Sequence, residues 1–186
     1  DLGELYIDGH GVDKNAARGL ALCERAAAQN MPPAQIRAGR MLLEGPETLR
    51  DLQAAFNWFE QAATRGAPEA QYYVGVMLRD GAEDEAQTAA ARFWFESAAA
   101  QGYVPAYLPT ASLYLASRES TTGYPQAEHL AKAYLWLSAA TQRLEDPGTL
   151  ASAEDLLDEA KRIMPASWQP ALDEQVAKHL AEYSRP

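Results

Sequence analysis

The chain has 186 residues, nearly half of them apolar, and a formal net charge of −10. That excess of carboxylates argues against nonspecific binding to nucleic acid or anionic membranes, which needs basic patches. Alanine dominates, β-branched residues are few, and no apolar run approaches the roughly 20 residues needed to cross a bilayer, so composition predicts a helical protein with no direct membrane insertion.

Residues recur at a step of 36: Gly3, Gly39, Gly75 and Ala111; Ala34-Gln35, Ala70-Gln71 and Ala106-Tyr107; Gly9, Gly45 and Gly81; Asn30, Gly66 and Gly102. A self-similar period of this size is the signature of a solenoid, in which each unit buries its apolar face against the next. The chain opens inside the first helix of a unit, so the first repeat is expected to be truncated. In that unit Leu22, Cys23, Ala26 and Ala27 share a helix face. Cys23, the one cysteine, excludes an internal disulfide framework and reads as a small core residue.

In the next unit Ala34, Ala38, Met41 and Leu42 form an apolar stripe that stops at Glu44-Gly45-Pro46, which predicts a first helix, A. Asp51 is the expected N-cap of a second helix, B, carrying Ala54, Ala55, Trp58, Phe59, Ala62 and Ala63 up to Gly66. The following unit repeats this pair, with helix A from Ala70 to Arg79 and helix B carrying Ala90, Ala91, Trp94, Phe95, Ala98 and Ala99. Trp58 and Trp94 are expected to fill the space between helices, at a cost of roughly 3 to 5 kcal/mol for either alanine substitution. Trp136 lies 42 residues beyond Trp94, which places an insertion of about six residues in the polar segment Ser117 to Gln126, a loop that tolerates length. Beyond Glu145 the repeat is lost. Leu150, Ala153, Leu156, Leu157, Ala160 and Ile163 predict one more helix ending at Pro165, and another runs from about Trp168 to Tyr183, a pair suited to closing the end of an array.

The turn Tyr6-Ile7-Asp8-Gly9-His10-Gly11-Val12, the helix start Ala70-Gln71-Tyr72-Tyr73-Val74-Gly75-Val76-Met77-Leu78 and the pattern Lys132-Ala133-Tyr134-Leu135-Trp136 together resemble the Sel-one-like repeat family of tetratricopeptide-like solenoids. The likeness covers about residues 2 to 144. It departs from the family at Gly45-Pro46 and Gly81-Ala82, where a Gly-x-Gly-Val turn is missing, and at Leu22, which replaces Trp. The resemblance implies an all-α fold, a right-handed α-α superhelix of antiparallel helix pairs: about four repeats over 1–144, then capping helices over 145–186. It further implies a noncatalytic protein-interaction scaffold, bacterial and exported to the periplasm or beyond, with the cytoplasm as the alternative compartment, serving envelope assembly, export, motility or signalling, with no cofactor.

Little in the sequence points to chemistry. Gly9-His10-Gly11 lacks the preceding strand and further glycines of a phosphate loop, and His10, His129 and His179 lie in different units, without the i, i+4 spacing of a helical metal site. The acidic groups Glu83-Asp84-Glu85 and Asp155, Asp158 and Glu159 read as solvated charge. Two other classes of function are weighed. Glycan or peptidoglycan could be held by Tyr72, Tyr73, Tyr103 and Tyr107, and a cell-wall or lactam hydrolase is the enzymatic alternative, though no Ser/His/Asp or Cys/His set is visible.

Turning 100° per residue from Ala34, positions one, five, eight and nine of helix A form the buried stripe, while positions three, seven and ten point away. The outward positions are Ile36, Arg40 and Leu43; Tyr72, Val76 and Arg79; and Leu108, Ser112 and Leu115, with Glu4 and Ile7 continuing the row. In tetratricopeptide-like solenoids such positions line the concave surface. A row this apolar, bearing two arginines in an acidic protein, is expected to hold a partner's amphipathic helix or extended peptide with some negative charge.

Overall fold

A computed structural model of the chain describes residues 15–117 and 123–183. The first-repeat residues Gly3, Glu4, Ile7 and Gly9-His10-Gly11, and the middle of the Ser117 to Gln126 insertion, lie outside the described residues. Among the described residues the regular elements are nine α-helices and three short 3-10 turns. The helices are α1 (Ala16–Ala27), α2 (Pro32–Glu44), α3 (Leu52–Ala63), α4 (Pro68–Asp80), α5 (Glu85–Ala99), α6 (Tyr107–Ala116), α7 (Ala127–Arg143), α8 (Pro147–Ile163) and α9 (Gln169–Glu182).

Their boundaries follow from local chemistry. Asn15, Asp51, Asp84 and Asp146 each accept a hydrogen bond from a first-turn amide, at 3.0, 2.9, 2.8 and 2.9 Å, and so start α1, α3, α5 and α8. At the other end of the B helices, Asn30, Gly66 and Gly102 all take left-handed φ values of 62°, 87° and 79°. These residues at one register are therefore the same helix-ending turn, built where glycine or asparagine is least strained. The two A-to-B turns that depart from the family pattern close differently. After Gly45 a 3-10 turn, Glu47–Leu49, intervenes, and the Asp51 amide returns to the Leu42 carbonyl at 3.0 Å. After Gly81 the cap comes sooner, making α5 15 residues long against 12 for α3.

The helices group into two compact units, one ending at Met77 and the other beginning at Leu78. In the first, α1, α2 and α3 pack in succession, and Tyr73 of α4 stacks on Phe59 of α3 with ring centroids 4.6 Å apart. In the second, α5 packs on α6, α6 on α7, and α7 meets both α8 and α9.

The core column is displaced by one residue from the tryptophan register. Cys23, Phe59, Phe95 and Leu137 are buried, at 4%, 0%, 0% and 0% exposure, while Leu22, Trp58 and Trp94 are only half-buried. Phenylalanine, not tryptophan, fills the space between helices. Phe59 lies so close to α2 that a Cβ on Gly39 would come within 2.7 Å of its ring, which accounts for glycine there. Trp136, at the third such register, is buried, and the rings of Tyr107 and His179 lie against it.

The buried arc of helix A is also wider than apolar spacing indicates. Position two is buried in every unit described: Gln35, Gln71 and Tyr107. Gln35 donates to the carbonyl of Ala27 and Gln71 to that of Ala63, each at 3.3 Å, so each amide ties an A helix to the last residue of the B helix before it. A buried donor needs an acceptor, and the end of a helix offers one. Tyr107 makes no such tie and instead shares a hydrogen bond with His179 of α9.

Candidate functional site

In the first unit the outward residues of α2 and α4 form one face. Ile36, Leu43, Tyr72 and Val76 are half-buried and Arg40 is exposed. Side-chain bridges join the two helices: Arg40 Nη1 to Glu69 Oε1 at 3.7 Å, and the Tyr73 hydroxyl donating to Glu44 Oε1 at 3.2 Å. Arg40 Nε also lies 3.5 Å from Glu44 Oε2. The guanidinium thus lies between two carboxylates, but all three side chains keep a third to a half of their exposure, so these pairs are individually weak and a partner's carboxylate can compete for them. Tyr72 meets Tyr73 edge to face at 5.6 Å and 71°, which fixes the ring at the border of the face.

The outward row is less available in the second unit. Arg79 is exposed, paired with Asp80 at 2.7 Å and lying 5.7 Å over the Phe95 ring, and Leu108 is half-buried. The Ser112 hydroxyl donates to the Leu108 carbonyl at 2.8 Å, a bond within its own helix. Leu115 is only 4% exposed and so is a core residue, contrary to its expected place on the binding row. The physical reason is that α6 touches α8 in addition to α5 and α7, which leaves it less free surface than an internal A helix.

Two polar clusters in the second unit escape a reading by spacing, because their members come from different helices. Around Tyr114, the phenol donates to Glu96 Oε2 at 2.6 Å and accepts from Lys132 Nζ at 3.1 Å, while Arg92 lies 5.2 Å over its ring. Burial and the Glu96 hydrogen bond raise the Tyr114 pKa; burial lowers that of Lys132, but its bonds to Tyr114 and Glu96 outweigh this and leave it raised. Beside them the Ser117 hydroxyl is 2.6 Å from His129 Nδ1. That is a nucleophile-to-base distance, yet the hydroxyl donates to the Tyr114 carbonyl at 2.8 Å as the end of α6, leaving His129 to donate to it. In the tautomer that carries its proton on Nδ1, His129 thus helps close the end of α6. The second cluster gathers Tyr107, Trp136, Arg143, His179 and Tyr183.

Of the tyrosines weighed for sugar binding, Tyr107 is wholly buried, Tyr103 is half-buried, and Tyr72 and Tyr73 are steeply inclined to each other. Among the described residues no group of three or more His, Cys, Asp or Glu is placed to hold a metal ion. Asp155 and Asp158 are exposed along α8, where Lys161 comes within 4.0 Å of Asp158. No described helix is long and apolar enough to cross a membrane.

The Sel1 repeat profile matches residues 1–31, 32–66 and 68–103, more than half of the chain. The chain belongs to the Sel1 repeat family, whose repeats generally serve as protein-interaction scaffolds and are typically noncatalytic. The crystal structure of a Sel1 repeat protein from Oxalobacter formigenes is similar at a TM-score of 0.66 and 22% identity, over 95% of this chain and 68% of that one, and it shows the helical solenoid fold. A protective antigen present in uropathogenic Escherichia coli strains, displaying an SLR fold, aligns at a TM-score of 0.42 and 17% identity over 98% of this chain and 52% of that one. Among curated proteins no sequence matches.

Proposed function

We propose that the chain is a noncatalytic scaffold that grips a peptide or amphipathic helix of a protein partner with A-helix side chains left over from the core. The observation that carries this reading is the outward row of the first unit, where Ile36, Leu43, Tyr72 and Val76 are only half-buried and Arg40 is exposed. Outward positions with no role tend to be polar, and tyrosine and arginine are residue types enriched at interface anchors. Arg79 and Leu108 are the corresponding contacts of the second unit. Ser112 contributes little, its hydroxyl being bonded within α6.

A bacterial, exported setting, in envelope assembly, export, motility or signalling, is part of the same proposal. It is supported by the family resemblance and by the bacterial source of the similar Sel1 repeat protein, and fractionation of the native cell tests it. We also assign α8 and α9 the role of a terminal cap, supported by their packing on α7.

The double variant Arg40→Glu, Tyr72→Ala is expected to weaken capture of the native-cell partner at least about tenfold, the weight of a single anchor residue. Its melting temperature should stay within about 2 °C of the parent, because both residues lie outside the core. Equal capture by parent and variant removes this face from the proposal.

A further inference from the structure

The last helix is held at a joint rich in hydrogen-bond donors and poor in acceptors. His179 of α9 sets its ring edge to face against Tyr107 of α6 and Trp136 of α7, which stack on each other, at centroid distances of 5.6 and 5.1 Å, with Tyr183, just past the end of α9, 5.1 Å away. Its Nε2 is 2.9 Å from the Tyr107 hydroxyl. Tyr107 is fully buried, Trp136 nearly so, and two further buried donors, Trp136 Nε1 and Arg143 Nε, have no hydrogen-bond partner among the described residues. Arg143 reaches across through Nη2 to the Tyr183 carbonyl at 2.7 Å. In this setting a neutral imidazole accepts the Tyr107 proton at Nε2.

Protonation removes that acceptor. Nε2 then becomes a donor facing Tyr107, whose own hydroxyl hydrogen must turn into a buried space that, among the described residues, offers it no other acceptor, and a second positive charge arrives beside Arg143. Of the charged groups around the ring among the described residues, Arg143 opposes the imidazolium and Glu182, on α9 itself, favours it.

We propose that α9 is a proton-sensitive latch: when His179 takes up a proton, the last helix undocks from α6 and α7 and uncovers the ring faces of Tyr107 and Trp136. The direction of the imidazole's shift agrees. Burial, followed by Arg143, lowers its pKa below the ordinary His value, with Glu182 acting the other way. A group whose docked pKa is depressed contributes stability that is fully present above its undocked value, about 6.5, and is lost as pH falls through the docked value. The latch therefore holds at neutral pH and loosens in mild acid.

The test is amide hydrogen exchange of the whole chain between pH 7.5 and 5.5, corrected for the intrinsic pH dependence of exchange, with the imidazole C–H resonances followed by NMR in the same samples. Protection of α9 should fall by up to about tenfold per pH unit from about 6.5 down to the lower pH at which the docked His179 resonance titrates, while that of α2 and α3 stays constant. His179→Gln retains an acceptor but does not titrate, so its α9 protection should be flat with pH; His129→Gln should behave as the parent. If His179→Gln does not fold, the parent's two profiles decide alone. Protection of α9 that is unchanged at pH 5.5, or a docked His179 resonance that titrates at or above about 6.5, overturns the latch.

Discussion

Phe59→Ala and Phe95→Ala should each lower the free energy of unfolding by roughly 3 to 5 kcal/mol, while Trp58→Ala and Trp94→Ala should cost less than about half as much. Both phenylalanines are at 0% exposure, whereas the tryptophans keep one side in solvent. Removing Phe59 takes away the surface that Gly39 touches and the ring on which Tyr73 stacks, so the cavity is lined from two helices. Collapse around it is limited, since small residues at Gly39, Ala62 and Ala63 have no longer side chains to swing in. Chemical denaturation of the four variants measures the ordering. A larger loss for the tryptophans would place the core column in their register instead.

The second large effect is expected at a glycine. Gly66 and Gly102 occupy the same turn, both with left-handed φ, but nothing lies within 4 Å of a Cβ at Gly66, whereas one at Gly102 would overlap the side chain of Tyr183. Gly66→Ala therefore pays only the backbone strain, about 1 kcal/mol. Gly102→Ala adds the cost of displacing a ring at the end of α9, on the order of 1 to 3 kcal/mol more. Thermal unfolding of the pair isolates the difference, and in Gly102→Ala the extra loss should appear first as faster exchange of α9. Equal losses for the two variants would mean that Tyr183 yields without resistance.

Much of this was legible in the residues. The step between Ala34, Ala70 and Ala106 located the A helices, Asp51 was readable as a cap, and Pro165 marked the end of α8. The buried column was mistaken by one residue, because Trp58-Phe59 and Trp94-Phe95 are adjacent large rings and helical spacing alone does not decide which of two neighbours turns fully inward. Gln35 and Gln71 escaped because a buried amide carries no apolar signal; the clue was their repetition at a fixed register, where solvent-facing positions have no reason to keep one polar side chain. At the candidate face, Ile36, Arg40, Leu43, Tyr72 and Val76 could be derived by counting turns of a helix. Leu115 could not, since its burial depends on α8, a helix outside the period. The Tyr114 and His179 clusters were likewise invisible, each being joined by bonds between residues of different helices 18 or more apart in sequence.

The glutamine ties carry a consequence for how such a chain can grow. The joint between α1 and α2 and the joint between α3 and α4 are built alike, with a left-handed residue, then an amide reaching back to the final carbonyl of the preceding helix. Copying one 36-residue block into the chain at Gly66 would present each new junction with the partners it already expects, so lengthening there is a matter of duplication. At Gly102 the equivalent splice is blocked: Tyr107 has given up the amide and Tyr183 already sits on the turn. The molecule thus has an extensible end and a finished one.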